Sequence, residues 1–339
     1  MKAAIFYSRD DIRVEEVSRP KIGPGELLMQ VHGCGLCGSD IAKVVTGSLK
    51  PGSCFGHESV GTVIEVGEGL QTFQVGQRVA VAHHTPCFSC YYCRAGCYTV
   101  CPSYRAVHLD PGGFAEVIRV PASLVRHAAV PIPDGLSFEQ AAFVEPLACC
   151  LRGVRRSRVD LGDTVLIVGS GAIGLMLAQI ARLYGAKVIT TDLIPQRLEL
   201  ARSLGVDMAL HAIDDDVEAA VREATAGRGV DAAICTVPVP GVIVQTLALV
   251  RDGGSLNLFA GNPAGTLTEI NLYRVYQHEL SIFGTYSHAT SELPEALDLI
   301  ARGKVQVEPL LTHRLPLSRL AEGIELTIRN EAMKVYIKM

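Results

Sequence analysis

The sequence predicts an α/β protein in which a domain of short strands precedes a doubly wound parallel sheet. Three observations predict this fold class. The chain has 339 residues, enough for roughly two domains of about 150 residues each. In roughly the first 150 residues, short strand-like runs alternate with glycine-rich turns. In the following part, strand-like and helix-like segments alternate, which is typical of a parallel sheet with helices on both faces.

Individual elements follow from the local patterns. In the first domain we expect strands at residues 27–32, 61–66 and 78–81. In the second domain we expect strands at residues 164–168, 187–192, 231–235 and 255–259. The helices of that domain are predicted at residues 173–184, 195–204 and 242–250. The last stretch contains a helix-like run at 293–302 and is too short for a domain, so we expect it to pack on the first domain.

Composition and charge exclude several classes of protein. Apolar residues make up 48% of the chain and charged residues 19%, a balance that argues against intrinsic disorder. The net charge is −4 and no basic run is present, which argues against nucleic acid as a partner. No apolar stretch reaches the ~18 residues of a membrane span, and the N-terminus turns polar too soon for a signal peptide. We therefore expect a cytoplasmic protein without a membrane partner.

Four cysteines form the strongest local motif. The chain has 11 cysteines and no leader-like segment, so metal binding or catalysis is a better explanation than disulfides. Four cysteines separated by two, two and seven residues can surround one tetrahedral zinc ion with their thiolates. Such a closed site leaves no position for a substrate, which predicts a structural role for the zinc. Four buried free thiols are the alternative, but the residues between them are polar. The candidate ligands are Cys87, Cys90, Cys93 and Cys101, and Cys97 lies off this spacing without an assigned role.

A glycine-rich motif, Gly-Ser-Gly-Ala-Ile-Gly at 169–174, follows a predicted strand and opens a predicted helix. That context is the one a dinucleotide-binding fingerprint requires. The first glycine permits a tight turn, the second lets the backbone approach the pyrophosphate, and the third lets helix and strand pack closely. The free N–H groups of the helix start would hold the phosphates. The candidate residues are Gly169, Gly171, Ala172, Ile173 and Gly174.

Asp192 ends the next predicted strand and indicates which coenzyme is bound. A carboxylate at that position accepts hydrogen bonds from ribose hydroxyls and repels a 2′-phosphate, which favours NAD over NADP. Arg197 follows on the next helix and could instead accept a 2′-phosphate, so NADP stays open. A helix N-cap before Pro195 is the competing interpretation of Asp192, and the intact fingerprint outweighs it.

A third set of candidates is dispersed along the first domain. Cys37 lies in Cys-Gly-Ser-Asp, which we expect to form a loop after a strand; His57 and Glu58 lie in Gly-His-Glu; Glu145 lies in Glu-Pro-Leu. A single residue of this kind is more often a packed residue than a metal ligand. Together they supply thiolate, imidazole and carboxylate, the ligand types of an open catalytic zinc site.

The order of these motifs along the whole chain resembles the zinc-containing medium-chain alcohol dehydrogenase family. The order is Cys-Gly-Ser-Asp, Gly-His-Glu, the four-cysteine lobe, Gly-Gly-Phe-Ala-Glu at 112–116, Val-Glu-Pro-Leu and the nucleotide fingerprint. Within the family, Glu-Pro-Leu resembles the polyol (sorbitol-type), sugar-alcohol phosphate and threonine dehydrogenase branch. The resemblance implies a GroES-like catalytic domain at 1–152 with the zinc lobe at 87–101, a Rossmann domain at 153–286, and a C-terminal return to the catalytic domain at 287–339.

The resemblance also implies the site chemistry. Cys37 and His57 would hold a catalytic zinc with Glu58 or Glu145, one of them acting through a water, and Asp40 would fix the ring of His57. The zinc would lower the pKa of a substrate hydroxyl. The hydroxyl of Ser39 would take the proton, and NAD would take the hydride. Two zinc ions per chain are expected, one catalytic and one structural.

The implied substrate is a secondary alcohol, or the matching ketone, of a polyol, cyclitol, amino-polyol or sugar-alcohol phosphate. An L-threonine 3-dehydrogenase and a simple secondary-alcohol dehydrogenase are alternatives. A non-catalytic NAD(H)-binding protein is a further alternative, which a lost zinc ligand or a lost Ser39 would mark, and neither is lost. The resemblance also implies a homodimer or homotetramer, with residues 255–261 at the sheet edge against a partner subunit.

Several positions depart from the family pattern. Ala42 stands where many relatives have a histidine that passes the proton to solvent, and Ser287 stands where sorbitol-type members have an arginine. His83 and His84 precede the lobe near the expected substrate site. Adjacent residues on a strand point to opposite faces, so we expect at most one of these two to bind substrate. A packed or surface pair is an equally good interpretation of them.

Overall fold

The computed structural model describes residues 1–339 and divides the chain into two compact units. The first unit consists of Met1–Ala148 and Ala289–Met339, and the second of Cys149–His288. The C-terminal segment thus belongs to the first unit. The boundaries lie after residues 148 and 288, whereas the family resemblance implies boundaries after 152 and 286.

The chain contains sixteen strands and twelve α-helices with the following bounds. The strands are β1 (Lys2–Ser8), β2 (Asp11–Glu16), β3 (Leu27–Gly35), β4 (Ser53–Cys54), β5 (Glu58–Val66), β6 (Arg78–Val81), β7 (Val117–Val120), β8 (Ala129–Pro131), β9 (Thr164–Val168), β10 (Lys187–Asp192), β11 (Met208–His211), β12 (Val230–Cys235), β13 (Val250–Leu258), β14 (Ser281–Gly284), β15 (His313–Pro316) and β16 (Val335–Lys338). The helices are α1 (Gly38–Thr46), α2 (Tyr91–Arg94), α3 (Ala122–Ala128), α4 (Phe138–Ala141), α5 (Val144–Arg156), α6 (Ala172–Leu183), α7 (Pro195–Ser203), α8 (Val217–Ala224), α9 (Pro240–Ala248), α10 (Leu272–Gln277), α11 (Glu292–Ala301) and α12 (Leu320–Ile328).

The first unit is built on a seven-stranded, mostly antiparallel sheet. Its order is β15-β16-β3-β5-β6-β8, with β7 paired to the beginning of β3. A separate three-stranded sheet has the order β2-β1-β4. Strand β16 pairs with the end of β3, where Gly33 leaves room for the ring of Tyr336; a Cβ there would lie 2.0 Å from that ring. This pairing brings the C-terminus beside the residues that precede Cys37.

The second unit contains a six-stranded parallel sheet in the order β11-β10-β9-β12-β13-β14. All five residues of the central strand β9 are buried, as expected for a parallel sheet covered on both faces. Helices follow the strands in alternation along the chain. The predicted doubly wound parallel sheet is thus confirmed, and strands β6, β9 and β10 have the predicted bounds.

The expectation that residues 255–261 lie at the sheet edge is wrong. Strand β13 pairs with β12 on one side and with β14 on the other. The edge strands are β11 and β14. Strand β14 has only four residues and follows a largely polar segment, so no alternating pattern marks it in the sequence.

Helix α5 was not predicted, although it carries Glu145. Pro146 argues against a helix interior, but it is the third residue of α5, where a missing N–H removes no helical hydrogen bond. The two residues after it, Leu147 and Ala148, are fully buried. The chain has no helix that combines the length and the apolar character needed to cross a bilayer.

Candidate metal centres and nucleotide site

The four cysteines of the lobe lie together. The Sγ–Sγ distances are 3.6 Å for Cys90–Cys93, 3.7 Å for Cys90–Cys101, 3.6 Å for Cys87–Cys101 and 4.0 Å for Cys87–Cys93. Four sulfurs bound tetrahedrally at about 2.3 Å from zinc would be about 3.8 Å apart. The donor spacing therefore fits one zinc ion. Cys97 is exposed and its Sγ lies 3.7 Å from the carbonyl oxygen of Ala95, outside this group.

The pKa values of Cys87 and Cys93 are shifted in opposite directions. Hydrogen bonds from the backbone and side chain of Ser89 lower the pKa of Cys87 to about 5. Burial, together with hydrogen bonds to the neighbouring sulfurs, raises the pKa of Cys93 to about 12. A thiolate beside a thiol is the expected state of crowded cysteines without a cation, and zinc binds the thiolate form.

Asp40 connects the two candidate ligands Cys37 and His57. Cys37 is the N-cap of α1, and its N–H donates to Oδ2 of Asp40 at 3.4 Å. Oδ1 of Asp40 lies 3.1 Å from Nδ1 of His57, which leaves Nε2 of His57 facing away from Asp40. Burial opposes ionisation of Asp40, but the imidazole of His57 lowers the pKa of this carboxyl below its usual value. The expected loop at Asp40 is therefore wrong, because a capping box starts a helix there.

Glu58 starts β5 and carries a carboxylate on a fully buried side chain. The ammonium of Lys334 contacts Oε2, and Oε1 has no hydrogen-bond partner. Burial would lower the pKa of Lys334, but the carboxylate of Glu58 raises it above its usual value. A Cβ at Gly35 would lie 1.9 Å from Oε2, so glycine is needed there. A buried carboxylate oxygen without a donor fits a bound cation.

The metal-binding side chains of this region form two groups that share His57. One group is Cys37, His57 and Glu58, and the other is His57, His83 and Glu145. Within each group the ligand atoms lie within 4.8 Å of one another, close to the limit of about 4.6 Å for two atoms bound to one zinc. Glu58 and Glu145 also line the same small cavity. The structure thus brings together the four sequence candidates and adds His83.

The strand expected at His83 and His84 is absent, whereas the expectation that at most one of them binds substrate stays a prediction. Strand β6 ends at Val81, so neither histidine lies on a strand. Their ring centroids are 3.6 Å apart with the ring planes tilted by 38°, so the two rings lie against each other instead of on opposite faces. His83 also lies beside His57, with ring centroids 4.2 Å apart. The His-His pair two residues beyond β6 was the only sequence signal for this contact.

Ser39 and Ala42 occupy successive turns of α1. The hydroxyl of Ser39 donates to Sγ of Cys37 at 3.3 Å, and Ser39 is exposed. Ala42 offers no group that could carry a proton. A proton at Ser39 therefore has direct access to water.

The glycine-rich motif joins β9 to α6 in the second unit. Gly169 has φ +99°, a conformation that favours glycine, and a Cβ there would lie 2.4 Å from Oγ1 of Thr236. Gly171 is the N-cap of α6, with open space where a Cβ would be. A Cβ at Gly174 would lie 1.8 Å from the carbonyl oxygen of Gly169. The first turn of α6, which includes Ala172 and Ile173, thus begins beside a surface that a phosphate can approach.

Asp192 ends β10 beside this motif. Oδ2 accepts a hydrogen bond from the N–H of Ser170 at 2.7 Å. Oδ1 accepts from the N–H groups of Leu193 at 2.8 Å and Ile194 at 3.0 Å. Nη1 of Arg197 lies 3.8 Å from Oδ2. The carboxylate is therefore held in one orientation with a cation next to it.

Comparisons with known proteins cover nearly the whole chain. The model of the alcohol dehydrogenase GroES-like domain matches residues 23–134, and that of zinc-binding dehydrogenases matches residues 172–302. Sorbitol dehydrogenase of Bacillus subtilis (strain 168) is 32% identical over an alignment of 348 positions, which covers 99% of this chain and 97% of the relative. The chain belongs to the zinc-containing medium-chain alcohol dehydrogenase family. (R,R)-butanediol dehydrogenase of Neisseria gonorrhoeae is 32% identical to this dehydrogenase over an alignment of 357 positions, which covers 99% of this chain and 98% of the relative.

Solved structures support the same assignment for this dehydrogenase. A zinc-binding dehydrogenase from Sinorhizobium meliloti 1021, bound to NADP, is 31% identical with a TM-score of 0.91. The match covers 100% of this chain and 99% of that chain. The predicted family, its polyol branch and the pairing of a GroES-like with a Rossmann domain are confirmed. The protein is a zinc-dependent, NAD(P)-binding alcohol dehydrogenase that acts on small-molecule alcohols.

Proposed function

We propose that this dehydrogenase transfers a hydride between NAD and a secondary alcohol of a polyhydroxylated small molecule. The substrate class is a polyol, cyclitol, amino-polyol or sugar-alcohol phosphate, and the reverse reaction reduces the ketone. The observation that carries the proposal is the group of Cys37, His57 and Glu58 in the first unit, in which His57 and Glu58 are buried and Cys37 is partly exposed. The names of relatives, sorbitol dehydrogenase and D-arabitol-phosphate dehydrogenase, support a polyhydroxylated substrate.

Cys37, His57 and Glu58 would hold the catalytic zinc, with Glu145 as the second carboxylate beside them. The donors fit zinc because a thiolate, an imidazole nitrogen and a carboxylate oxygen converge. Asp40 orients the imidazole of His57 through Nδ1. When bound, zinc supplies a Lewis acid that lowers the pKa of a substrate hydroxyl.

Ser39 would receive the proton of the substrate hydroxyl. Its Oγ lies 3.3 Å from Sγ of Cys37, next to the proposed ligands. Because Ser39 is exposed, water can take the proton on, and a histidine at position 42 is not needed.

Asp192 supports NAD as the coenzyme. Its fixed carboxylate would accept hydrogen bonds from the adenosine ribose and repel a 2′-phosphate. The N–H groups at the start of α6, from Ala172, Ile173 and Gly174, would hold the pyrophosphate. NADP is the second candidate, because Arg197 lies 3.8 Å from Asp192 and the Sinorhizobium relative was solved with NADP.

Ser287 argues against sorbitol itself as the substrate. A serine cannot grip a substrate hydroxyl with the two N–H donors that an arginine offers. A simple secondary alcohol or short diol is therefore the second candidate substrate, supported by the butanediol dehydrogenase of Neisseria gonorrhoeae. L-threonine is the third candidate substrate.

The proposal includes assembly of this chain into a homodimer or homotetramer. Strand β14 has an unpaired edge in this chain, which is a surface that a second copy can extend. Helix α10 exposes Leu272, Tyr273 and Tyr276, at 76%, 69% and 82%. Multi-angle light scattering of the purified protein would give the mass of the assembly, and a monomer would contradict this part of the proposal.

The substrate proposal is tested by NADH absorbance at 340 nm. The panel contains polyols, inositols, sugar-alcohol phosphates, aminocyclitols, threonine and simple secondary alcohols at ~10 mM, well above usual KM values. Each is measured with NAD and with NADP. Turnover of one polyhydroxylated class with NAD, lost on zinc removal, is the expected result. Turnover that survives complete zinc removal would refute the mechanism, and turnover of butanediol or threonine alone would favour an alternative substrate.

A further inference from the structure

His83 lies beside His57, a proposed ligand of the catalytic zinc, although no motif marks it. A ring nitrogen of His83, a ring nitrogen of His57 and a carboxylate oxygen of Glu145 lie within 4.8 Å of one another. These residues come from three separate segments: the chain after β6, the residue before β5 and the first turn of α5. The first unit therefore presents a second complete set of three metal ligands.

The ring of His83 is held in place by packing. It lies between two other imidazoles, with centroid distances of 4.2 Å to His57 and 3.6 Å to His84. His84 is 6% exposed and packs against Tyr104, which is fully buried, with a centroid distance of 4.9 Å. A ligand fixed in this way loses little conformational freedom when a metal binds.

Glu145 is equally fixed. It lies in the first turn of α5, is 7% exposed, and is followed by the buried Leu147. Its carboxylate lines the same cavity as Glu58. Two imidazoles and one carboxylate form a ligand set that suits zinc and other divalent transition metals without any thiolate.

We propose that His57, His83 and Glu145 form a second metal position of this enzyme, adjacent to the position made by Cys37, His57 and Glu58. Nδ1 of His57 is engaged with Asp40, so both positions use Nε2 and one ion occupies one position at a time. His83 is the residue that distinguishes the second position. The inference rests on the proposed function only in taking Cys37, His57 and Glu58 as the first metal position.

The proposal predicts that loss of the Cys37 thiolate does not empty the site. We would compare the wild type, Cys37→Ser, Cys37→Ser/His83→Ala and the control Cys37→Ser/His108→Ala, in which an exposed histidine is removed. Each protein is dialysed against a buffer of fixed free zinc, and metal per chain is measured by mass spectrometry. We expect two zinc ions per chain in all except Cys37→Ser/His83→Ala, which should keep only the structural zinc.

A single zinc in Cys37→Ser, or two in Cys37→Ser/His83→Ala, would overturn the proposal. If Cys37→Ser does not fold, His83→Ala alone provides the test through the rate of zinc release to a chelator. We expect that rate to rise at least about tenfold, and an unchanged rate would equally overturn the proposal. These metal counts do not depend on turnover. A wild type with two zinc ions and no alcohol oxidation would refute the proposed function and leave this inference standing.

Discussion

Lys334 and Glu58 form an ion pair that is buried inside the first unit. Their side chains are 8% and 0% exposed. They are 276 positions apart in the sequence, and the pairing of β16 with β3 brings them together. The ammonium occupies only Oε2 of the carboxylate and leaves Oε1 without a hydrogen-bond partner. Lys334 therefore compensates part of the charge of a proposed zinc ligand and leaves one oxygen for the metal.

Replacing Lys334 with methionine should destabilise the protein more without zinc than with it. Breaking a buried pair leaves an uncompensated charge, which costs about 3–5 kcal/mol. Bound zinc would supply a new counter-charge for Glu58 and reduce that loss. Denaturant unfolding of Lys334→Met and of the wild type, each with and without chelator, measures the difference. Lys338→Met, at the exposed end of the strand β16 that follows Lys334, should change stability by less than about 0.5 kcal/mol in both conditions. Equal losses with and without zinc would show that Glu58 does not contact the metal.

Asp40→Asn should weaken zinc binding without unfolding the protein. The amide oxygen can still accept a hydrogen bond, but it no longer supplies the charge that orients and polarises His57. Loss of such a partner typically lowers metal affinity by about 10–100-fold. Competition with a chromogenic chelator measures the zinc Kd. Asp11→Asn, an exposed carboxylate paired with Arg13, is the control and should leave the affinity unchanged. An unaltered Kd in Asp40→Asn would mean that His57 is not a ligand.

The local motifs could be predicted from the sequence because their geometry is set within a few residues. The spacing of Cys87, Cys90 and Cys93 places three sulfurs on one short segment. Gly169 and Gly174 are both needed in the short segment from the end of β9 to the first turn of α6, where a Cβ would clash. The contacts of Lys334 and His83 depend on strand pairing and on the end of β6, which sequence patterns define poorly. Lysine and histidine are also common in unrelated roles, so neither residue type marks a site by itself.

The lobe cysteines should respond differently from their neighbour Cys97. Cys93→Ser removes one of four thiolates at 3.6–4.0 Å spacing, so zinc should fall from two ions per chain to one and the Tm should drop. Cys97→Ser is the matched control, because this exposed thiol lies in the same lobe outside the group. It should keep both ions and the wild-type Tm. Metal analysis and thermal unfolding are measured for both variants. Two zinc ions per chain in Cys93→Ser would contradict a four-sulfur site.

Asp192→Asn should shift the coenzyme preference towards NADP. The side chain keeps an oxygen that can accept from the N–H of Ser170, but it loses the charge that would bind ribose hydroxyls and repel a 2′-phosphate. A hydrogen bond to a charged group contributes about 1.5–3 kcal/mol, so kcat/KM with NAD should fall about 10–100-fold. With NADP it should rise, because Arg197 no longer has a carboxylate beside it. Asp207→Asn is the control, since that carboxylate accepts from the N–H of Val188 on the same strand. Initial rates with both coenzymes give the ratio; if the ratio is the same in Asp192→Asn and the wild type, Asp192 does not select the coenzyme.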